Sequence, residues 1–303
     1  MKKSKPSDDS SRLPVAVSSP EKVFWPEEGY TKLDLARYYQ AVFPRLMPYV
    51  KGRLLSLERC PDGMRGDCFY QKEIPRGMPA NTPTTRIGHV TGGKSTNYVV
   101  AGSLATQIAL VNLGCIAVHV AASRASSPRQ LDWMCIDIDP ESGEFADAAR
   151  AGSHVKEFLD AVQLSSFPKT SGSRGLHILV PLRRGAGVDE VLSFARSLLR
   201  RVAAAHPDEL TVEHSVAKRG GRVYLDPFRN GFVQTVVAPY SVRRREHAPI
   251  STPLSWSEVR ADLAPARFNI GNFHKRLRQP DPWEGFFQSR QSLKTAVRLV
   301  QKI

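Results

Sequence analysis

The sequence predicts a mixed α/β (α+β) fold, and three observations carry that expectation. Residues 131–139 make an apolar run of strand length that closes on Asp137-Ile138-Asp139 and is stopped by Pro140. The stretches 146–162 and 188–205 have the length and composition of helices. Short apolar segments at 176–180 and 221–226 return as strands between and after those helices. A chain of 303 residues is long enough for one large domain or two ordinary ones, each with a real core.

The elements follow in order. Residues 1–20 are rich in Lys, Ser and Pro and lack an apolar signal-peptide segment, so they predict a disordered basic leader, with a single folded domain from 21 to 303. Thr31 and Asp34 form a capping box for an amphipathic helix through Tyr39 toward Phe43, which Pro44 is expected to end or kink. Strands are expected at 53–59 and 68–73, on either side of the turn Pro61-Asp62-Gly63, and at 96–101. Ser103 caps an apolar helix that ends at Gly114, and 115–120 returns as a strand carrying His119. A strand enters the glycine-rich turn 170–175, and another follows at 234–238. The tail, 256–303, reads as helical and basic.

Composition narrows the function. The 41% hydrophobic and 24% charged content is that of a globular chain, and no apolar run approaches the roughly 18 residues of a membrane span. Cys60, Cys68, Cys115 and Cys135 show no Cys-x-x-Cys pairing and are expected as buried, reduced thiols of a cytoplasmic protein. Lys plus Arg number 43 against 29 Asp plus Glu, for a net charge of +14. The excess is clustered at Lys218-Arg219 with Arg222, at Arg243-Arg244-Arg245, and at Lys275-Arg276 with Arg278, which points to a polyanion such as nucleic acid.

Three motifs carry chemistry. Side chains alternate along a strand, so Asp137 and Asp139 share one face while Ile136 and Ile138 take the other. Paired carboxylates repel unless a cation sits between them, and hard oxygens at that spacing suit Mg²⁺ or Mn²⁺. A solvated strand end before a turn has the same pattern. Asp226 ends a second such strand, before Pro227, and with the first pair would make a clamp for two metal ions; it is also an ordinary turn-initiating aspartate. Between them, Ser171-Gly172-Ser173-Arg174-Gly175-Leu176-His177 brings backbone N–H groups and Ser, Arg and His donors together, as a triphosphate cradle would and as a plain hairpin loop also does. It lacks the Gly-Lys-Ser/Thr ending of a Walker A loop.

In this order, on strands, the three motifs resemble those of the archaeo-eukaryotic primase superfamily, and more closely the polymerase domain of bacterial ATP-dependent DNA ligase D. The likeness runs nearly end to end, through Lys22-Val23-Phe24-Trp25-Pro26, Phe69-Tyr70-Gln71-Lys72, Val118-His119-Val120, Asp226 with Arg229-Asn230, and Tyr240-Ser241-Val242-Arg243. The resemblance implies a primase-like fold of two sheet modules flanked by helices, with the active site in the cleft between them. It implies that Asp137, Asp139 and Asp226 hold two divalent ions, Mn²⁺ or Mg²⁺, and that Ser171, Arg174, His177 and Arg243 bind the incoming nucleoside triphosphate. Phe69 would stack on a base, His119 would lie near the primer end or the nucleotide sugar, and Lys22 and Lys32 would grip a 5′-phosphate. As a plain strand residue, His119 would be a satisfied core histidine. Pro227 and Phe232-Val233 depart from the relatives' pattern.

The implied function is template-directed nucleotidyl transfer: primer extension and gap filling, with ribonucleotides preferred, in non-homologous end joining. Implied partners are gapped or broken DNA with a 5′-phosphate, NTP or dNTP, Ku, and a ligase activity on this or another chain, in the bacterial cytoplasm at the nucleoid. No Lys-x-Asp-Gly ligase nucleophile occurs in the sequence. The alternatives are a stand-alone primase-polymerase of replication or damage tolerance, and a non-catalytic DNA-end-binding module.

Overall fold

A computed structural model describes residues 12–90 and 92–302. Residues 12–20 do not form the expected disordered leader. Leu13, Val15 and Val17 pack on the core, and the Ser18 backbone N–H donates to Asn112 at 3.0 Å. The remainder of the expected leader, 1–11, lies outside the described residues. A hairpin of β1 (Val23–Trp25) and β2 (Tyr30–Thr31) leads into α1 (Lys32–Val50), whose start is the capping box read from Thr31 and Asp34. Pro44 does not end α1, which continues through Pro44 and Pro48. A helix-interior proline costs about 3 kcal/mol. The face carrying Leu35, Tyr39, Val42, Leu46 and Val50 is buried in the core, and at about 1.5–3 kcal/mol per large side chain that burial outweighs the cost.

Next come β3 (Leu55–Arg59), β4 (Phe69–Gln71), β5 (Thr84–Gly88), β6 (Ser95–Val99), α2 (Leu104–Asn112) and β7 (Cys115–Ala121). Ser103 caps α2 by accepting from the Thr106 N–H. The thiol expectation is corrected at one pair: Cys60 and Cys68 form a disulfide, while Cys115 and Cys135 are free and buried. The cause is register. Arg59 faces Phe69 across β3 and β4, so the residues just beyond each strand end meet.

A small hairpin, β8 (Ser123–Arg124) and β9 (Ser127–Leu131), precedes β10 (Trp133–Asp139). After it come α3 (Phe145–Ala161), β11 (Phe167–Thr170), β12 (Leu176–Pro181), α4 (Val188–Ala205), β13 (Leu210–Thr211), β14 (Val223–Asp226) and β15 (Thr235–Val237). The tail is less helical than expected. Beyond single turns it holds α5 (Phe273–Leu277) and α6 (Leu293–Leu299), joined by irregular chain.

Two sheets organise the molecule. One has the order β15-β7-β3-β4, with α1 and α2 against β7; the other has the order β11-β12-β10-β14-β13, with α3 and α4 packed on it. All pairings in both are antiparallel except β13 with β14. β10 is central and apolar because both its neighbours and the helices bury it, and its acidic residues come only at its C-terminal end. β15 lies late in the sequence yet pairs with β7, so the chain crosses between the sheets and closes one wall of the cleft.

Candidate active site

The end of β10 sets the site. Asp137 lies directly opposite His177 of β12 on one side and Asp226 of β14 on the other. Three strands thus deliver two carboxylates and an imidazole to one spot. Asp139 sits two residues further along β10, on the same face and more exposed.

Arg229, on the single turn after Asp226, stands between the carboxylates: its Nε is 2.9 Å from Asp137 Oδ2 and 3.4 Å from Asp226 Oδ2. Asn230 fixes that turn. Its amide accepts from the Cys135 N–H and donates to the Cys135 carbonyl, both at 2.7 Å, so it pairs with β10 as a strand would. Asp139 is 4.0 Å from Arg219. Among the described residues, no three His, Cys, Asp or Glu side chains are already gathered to hold a metal ion. The donor chemistry still suits one. Asp137 and Asp226 present hard oxygens to a shared cation, Arg229, and Asp139 is close enough in the strand to join if it turns from Arg219.

Burial alone would raise the pKa of Asp137, but His177 and Arg229 overcome it and hold the carboxyl well below its ordinary range. Burial, with Lys169 adding to it, pushes His177 down to about 4, so near neutral pH the ring is uncharged and the positive charge beside Asp137 is that of Arg229. Burial raises both Asp139 and Asp226, and the negative charge of Asp137 adds to it.

The glycine-rich loop lies beside these carboxylates. Ser171 Oγ accepts from the N–H groups of Ser173 and Gly175, which curls the loop on itself. Gly172 has φ +71, and a Cβ there would meet Arg243 Cγ at 2.6 Å; one on Gly175 would meet the Ile138 carbonyl at 2.4 Å. Only glycine lets the loop press against β10 and Arg243. Arg243 donates from Nη1 to the Ser171 carbonyl at 2.9 Å.

Between the sheets is an open cleft of about 480 Å³ whose walls include Asp137, Asp139, Ser171, Arg174, His177 and Arg243. His119 also lines it, edge-on to Tyr70 at 5.3 Å between ring centroids. His119 Nε2 and Arg243 Nε are buried without a hydrogen-bond partner, polar atoms left for something in the cleft. Phe69 points elsewhere. It is 45% exposed and lies under Arg59, and Tyr70, its neighbour on the opposite strand face, takes the cleft position. Lys22 and Lys32 are joined by the Lys32 N–H to Lys22 carbonyl hydrogen bond, so they share one corner. Lys22 pairs with Asp62 at 2.6 Å, and the buried Lys32 ammonium donates to the Ser18 carbonyl at 2.8 Å.

Arg229 and Lys169 are charged side chains of this site with no role assigned from the sequence. Arg229 belongs to the resemblance but was given none. Lys169, fully buried, faces His177 across β11 and β12, with Nζ 2.9 Å from His177 Nδ1. A lysine inside a strand that feeds a glycine-rich turn was the available signal.

Comparison with known proteins agrees with the fold. A sequence-family model of the LigD primase-polymerase domain matches residues 31–283. Primase-polymerase domains are nucleotidyltransferases. The chain belongs to the LigD primase-polymerase family. It is 29% identical over 292 residues to a multifunctional non-homologous end joining protein LigD of Pseudomonas aeruginosa, covering 94% of this chain and 34% of that protein. Against a bifunctional non-homologous end joining protein LigD of Bacillus subtilis it is 29% identical over 280 residues, covering 91% and 45%. The chain thus spans less than half the length of these relatives. The solved polymerase domain of Mycobacterium tuberculosis ligase D, in complex with DNA, superposes with a TM-score of 0.84 at 25% identity, covering 92% of this chain and all of that one. No helix among the described residues is long and apolar enough to cross a membrane.

Proposed function

We propose that this chain extends primers and fills gaps at broken DNA by template-directed nucleotidyl transfer, with ribonucleotides preferred, as the polymerase step of bacterial end joining. The observation that carries the reading is the alignment of His177, Asp137 and Asp226 across three adjacent strands beside the Ser171 to His177 loop. Asp137, Asp139 and Asp226 would hold Mn²⁺ or Mg²⁺, displacing Arg229 from their oxygens. When bound, such ions activate the primer 3′-hydroxyl and stabilise the charge of departing pyrophosphate.

The chain's own residues do the rest. Ser171, Arg174, His177 and Arg243 grip the triphosphate, since donors fixed before the reaction stabilise charge without reorganising. His119 offers its unpaired Nε2 to the sugar or primer end, and Tyr70 offers a ring face to a base, a role first expected of Phe69. Lys22 and Lys32 form one basic corner suited to a 5′-phosphate, provided Lys22 exchanges Asp62 for it. Ku and a ligase are the expected partners, at the nucleoid.

The test is primer extension on a gapped duplex, with and without a downstream 5′-phosphate, comparing NTP with dNTP and Mn²⁺ with Mg²⁺. The proposal expects extension that is favoured by NTP and by the 5′-phosphate. Extension indifferent to the 5′-phosphate would assign the chain to priming or damage tolerance instead. No extension with either metal would leave only DNA-end binding.

A further inference from the structure

We propose that the cleft has a second mouth, an arginine-lined pocket through which pyrophosphate leaves, and that Glu58 weakens its hold on that product by neutralising Arg244. This path rests on the polymerase reading and deepens it. A pocket of about 460 Å³ opens at the Gly172 end of the glycine-rich loop, and its walls include Arg174, Arg244, Arg245 and Ala266. It shares Ser173, Arg174 and Arg245 with the cleft, but not Tyr70, His119, Asp137 or Asp139. A phosphate group held on the loop therefore has a way out that avoids the side where a primer and a base would lie.

Three consecutive arginines meet this region, and the fold treats each differently. They stand at the tip of a hairpin in which Val242 pairs with Ile250 and the Arg243 N–H donates to the Pro249 carbonyl at 2.8 Å. Arg243 turns back to the loop, where it donates to the Ser171 carbonyl. Arg245 is exposed, lines both the cleft and the pocket, and has no carboxylate partner among the described residues. Arg244 lines the pocket but not the cleft, and its Nε is 2.9 Å from Glu58 Oε1. Glu58 is buried on β3, opposite Tyr70, and its Oε2 has no hydrogen-bond partner. Burying a carboxylate with one oxygen unpaired is costly. Its one ion pair is with the arginine that faces the pocket alone.

Charge balance gives that pair its use. A multiply charged product needs cations to draw it out of the cleft, but a path that holds it too well turns release into the slow step. With Arg244 cancelled by Glu58, Arg174 and Arg245 face only Glu246 across the pocket. Removing the charge of Glu58 would hand the pocket a third free cation. The consequence is a gain in pyrophosphate affinity, whereas damage to the fold would bring a loss.

The experiment is calorimetric titration of inorganic pyrophosphate at low salt, without divalent ions, so that only the protein's own cations bind it. Glu58→Gln keeps an acceptor for Arg244 and removes the charge. It is expected to bind pyrophosphate about three- to fivefold more tightly than the wild type, the size of one partly exposed charge. The gain should shrink as salt rises. Adding Arg244→Gln to Glu58→Gln is expected to return the affinity to the wild-type value. Unchanged or weaker binding by a folded Glu58→Gln protein overturns the inference, as does a gain that survives in the double variant. A gain for duplex DNA with none for pyrophosphate overturns it too, by assigning the pocket to a DNA strand. Should Glu58→Gln fail to fold, Ala266→Asp decides: on the pocket wall and outside the cleft, it is expected to weaken pyrophosphate binding about threefold. Unchanged affinity there is again contrary. Should the protein add no nucleotide, the polymerase reading fails while the titration still decides what the pocket binds.

Discussion

Acidic residues stand at both ends of β10, Asp132 just before it and Asp137 and Asp139 at its finish, and the two ends are built to opposite purposes. At its start, Asp132 is held by Arg53 Nη2 at 2.5 Å and by Arg124 Nε at 2.8 Å. Arg53 has no solvent exposure, stacks 3.8 Å from the Trp133 ring centroid and donates a second time to the Ala122 carbonyl. At its finish, Asp137 and Asp226 share the partly exposed Arg229, Asp139 is only within 4.0 Å of Arg219, and Asp137, Asp139 and Arg229 line an open cleft. Residue types are the same at both ends. The first end closes its charges against each other and leaves no room, so it serves the fold; the second leaves oxygens accessible, so it can serve chemistry.

The largest expected effect breaks the second end. Asp137→Ala, Asp139→Ala or Asp226→Ala should each abolish nucleotide addition in a primer-extension assay, while gel-shift affinity for DNA persists or tightens as a negative charge leaves a polyanion's path. His177→Ala and Arg243→Ala should each cost about 10²-fold in kcat/KM, the usual loss for one pre-set donor in the transition state. Unchanged kinetics in both variants would make the loop structural only.

The first end should break differently. Asp132→Asn leaves Arg53 buried beside a neutral partner and should destabilise the fold by about 3–5 kcal/mol in denaturant unfolding. Burial opposes ionisation of Asp132, but Arg53 and Arg124 prevail and hold its carboxyl below the ordinary range. A carboxyl lowered in the folded state adds stability that is complete above its unfolded pKa, about 4, and is lost as pH falls through the folded value. Wild-type Tm should therefore drop as pH falls below about 4, and Asp132→Asn should lose that part of the acid dependence.

The smallest effect belongs to the Lys22 and Lys32 corner. Lys22→Ala with Lys32→Ala should remove the preference for a 5′-phosphate in filter binding at low salt, a difference of about 1 kcal/mol or less where Lys22 carries the solvent-accessible charge, and leave extension of a simple primer–template largely intact. The preference should shrink as salt rises.

Much of the fold was legible. The helix expected at 188–205 is α4 itself, because its apolar spacing is regular and it spends one face on the sheet. β10 and β14 were readable from apolar runs ending in aspartate. What was hidden depended on pairing. β5 is mostly exposed and polar, so it lacks an apolar signature and exists through β6. The Cys60–Cys68 bond needs the β3–β4 register, and the continuation of α1 past Pro44 needs the core beneath it. At the site, residue types announced themselves, but orientation did not. Phe69 and Tyr70 are adjacent aromatics, and only the strand's face decides that Tyr70 meets His119. Arg229 and Lys169 gain meaning only from what stands across the sheet.

The contrast between the two ends of β10 is tested most directly by Asp132→Asn and Asp137→Asn measured side by side, each for thermal stability and for primer extension at a temperature where both are folded. A crossed result is expected. Asp132→Asn should lose stability and still extend primers, and Asp137→Asn should stay folded and extend none. Full extension by Asp137→Asn, or a folded Asp132→Asn protein as inactive as Asp137→Asn, would contradict it.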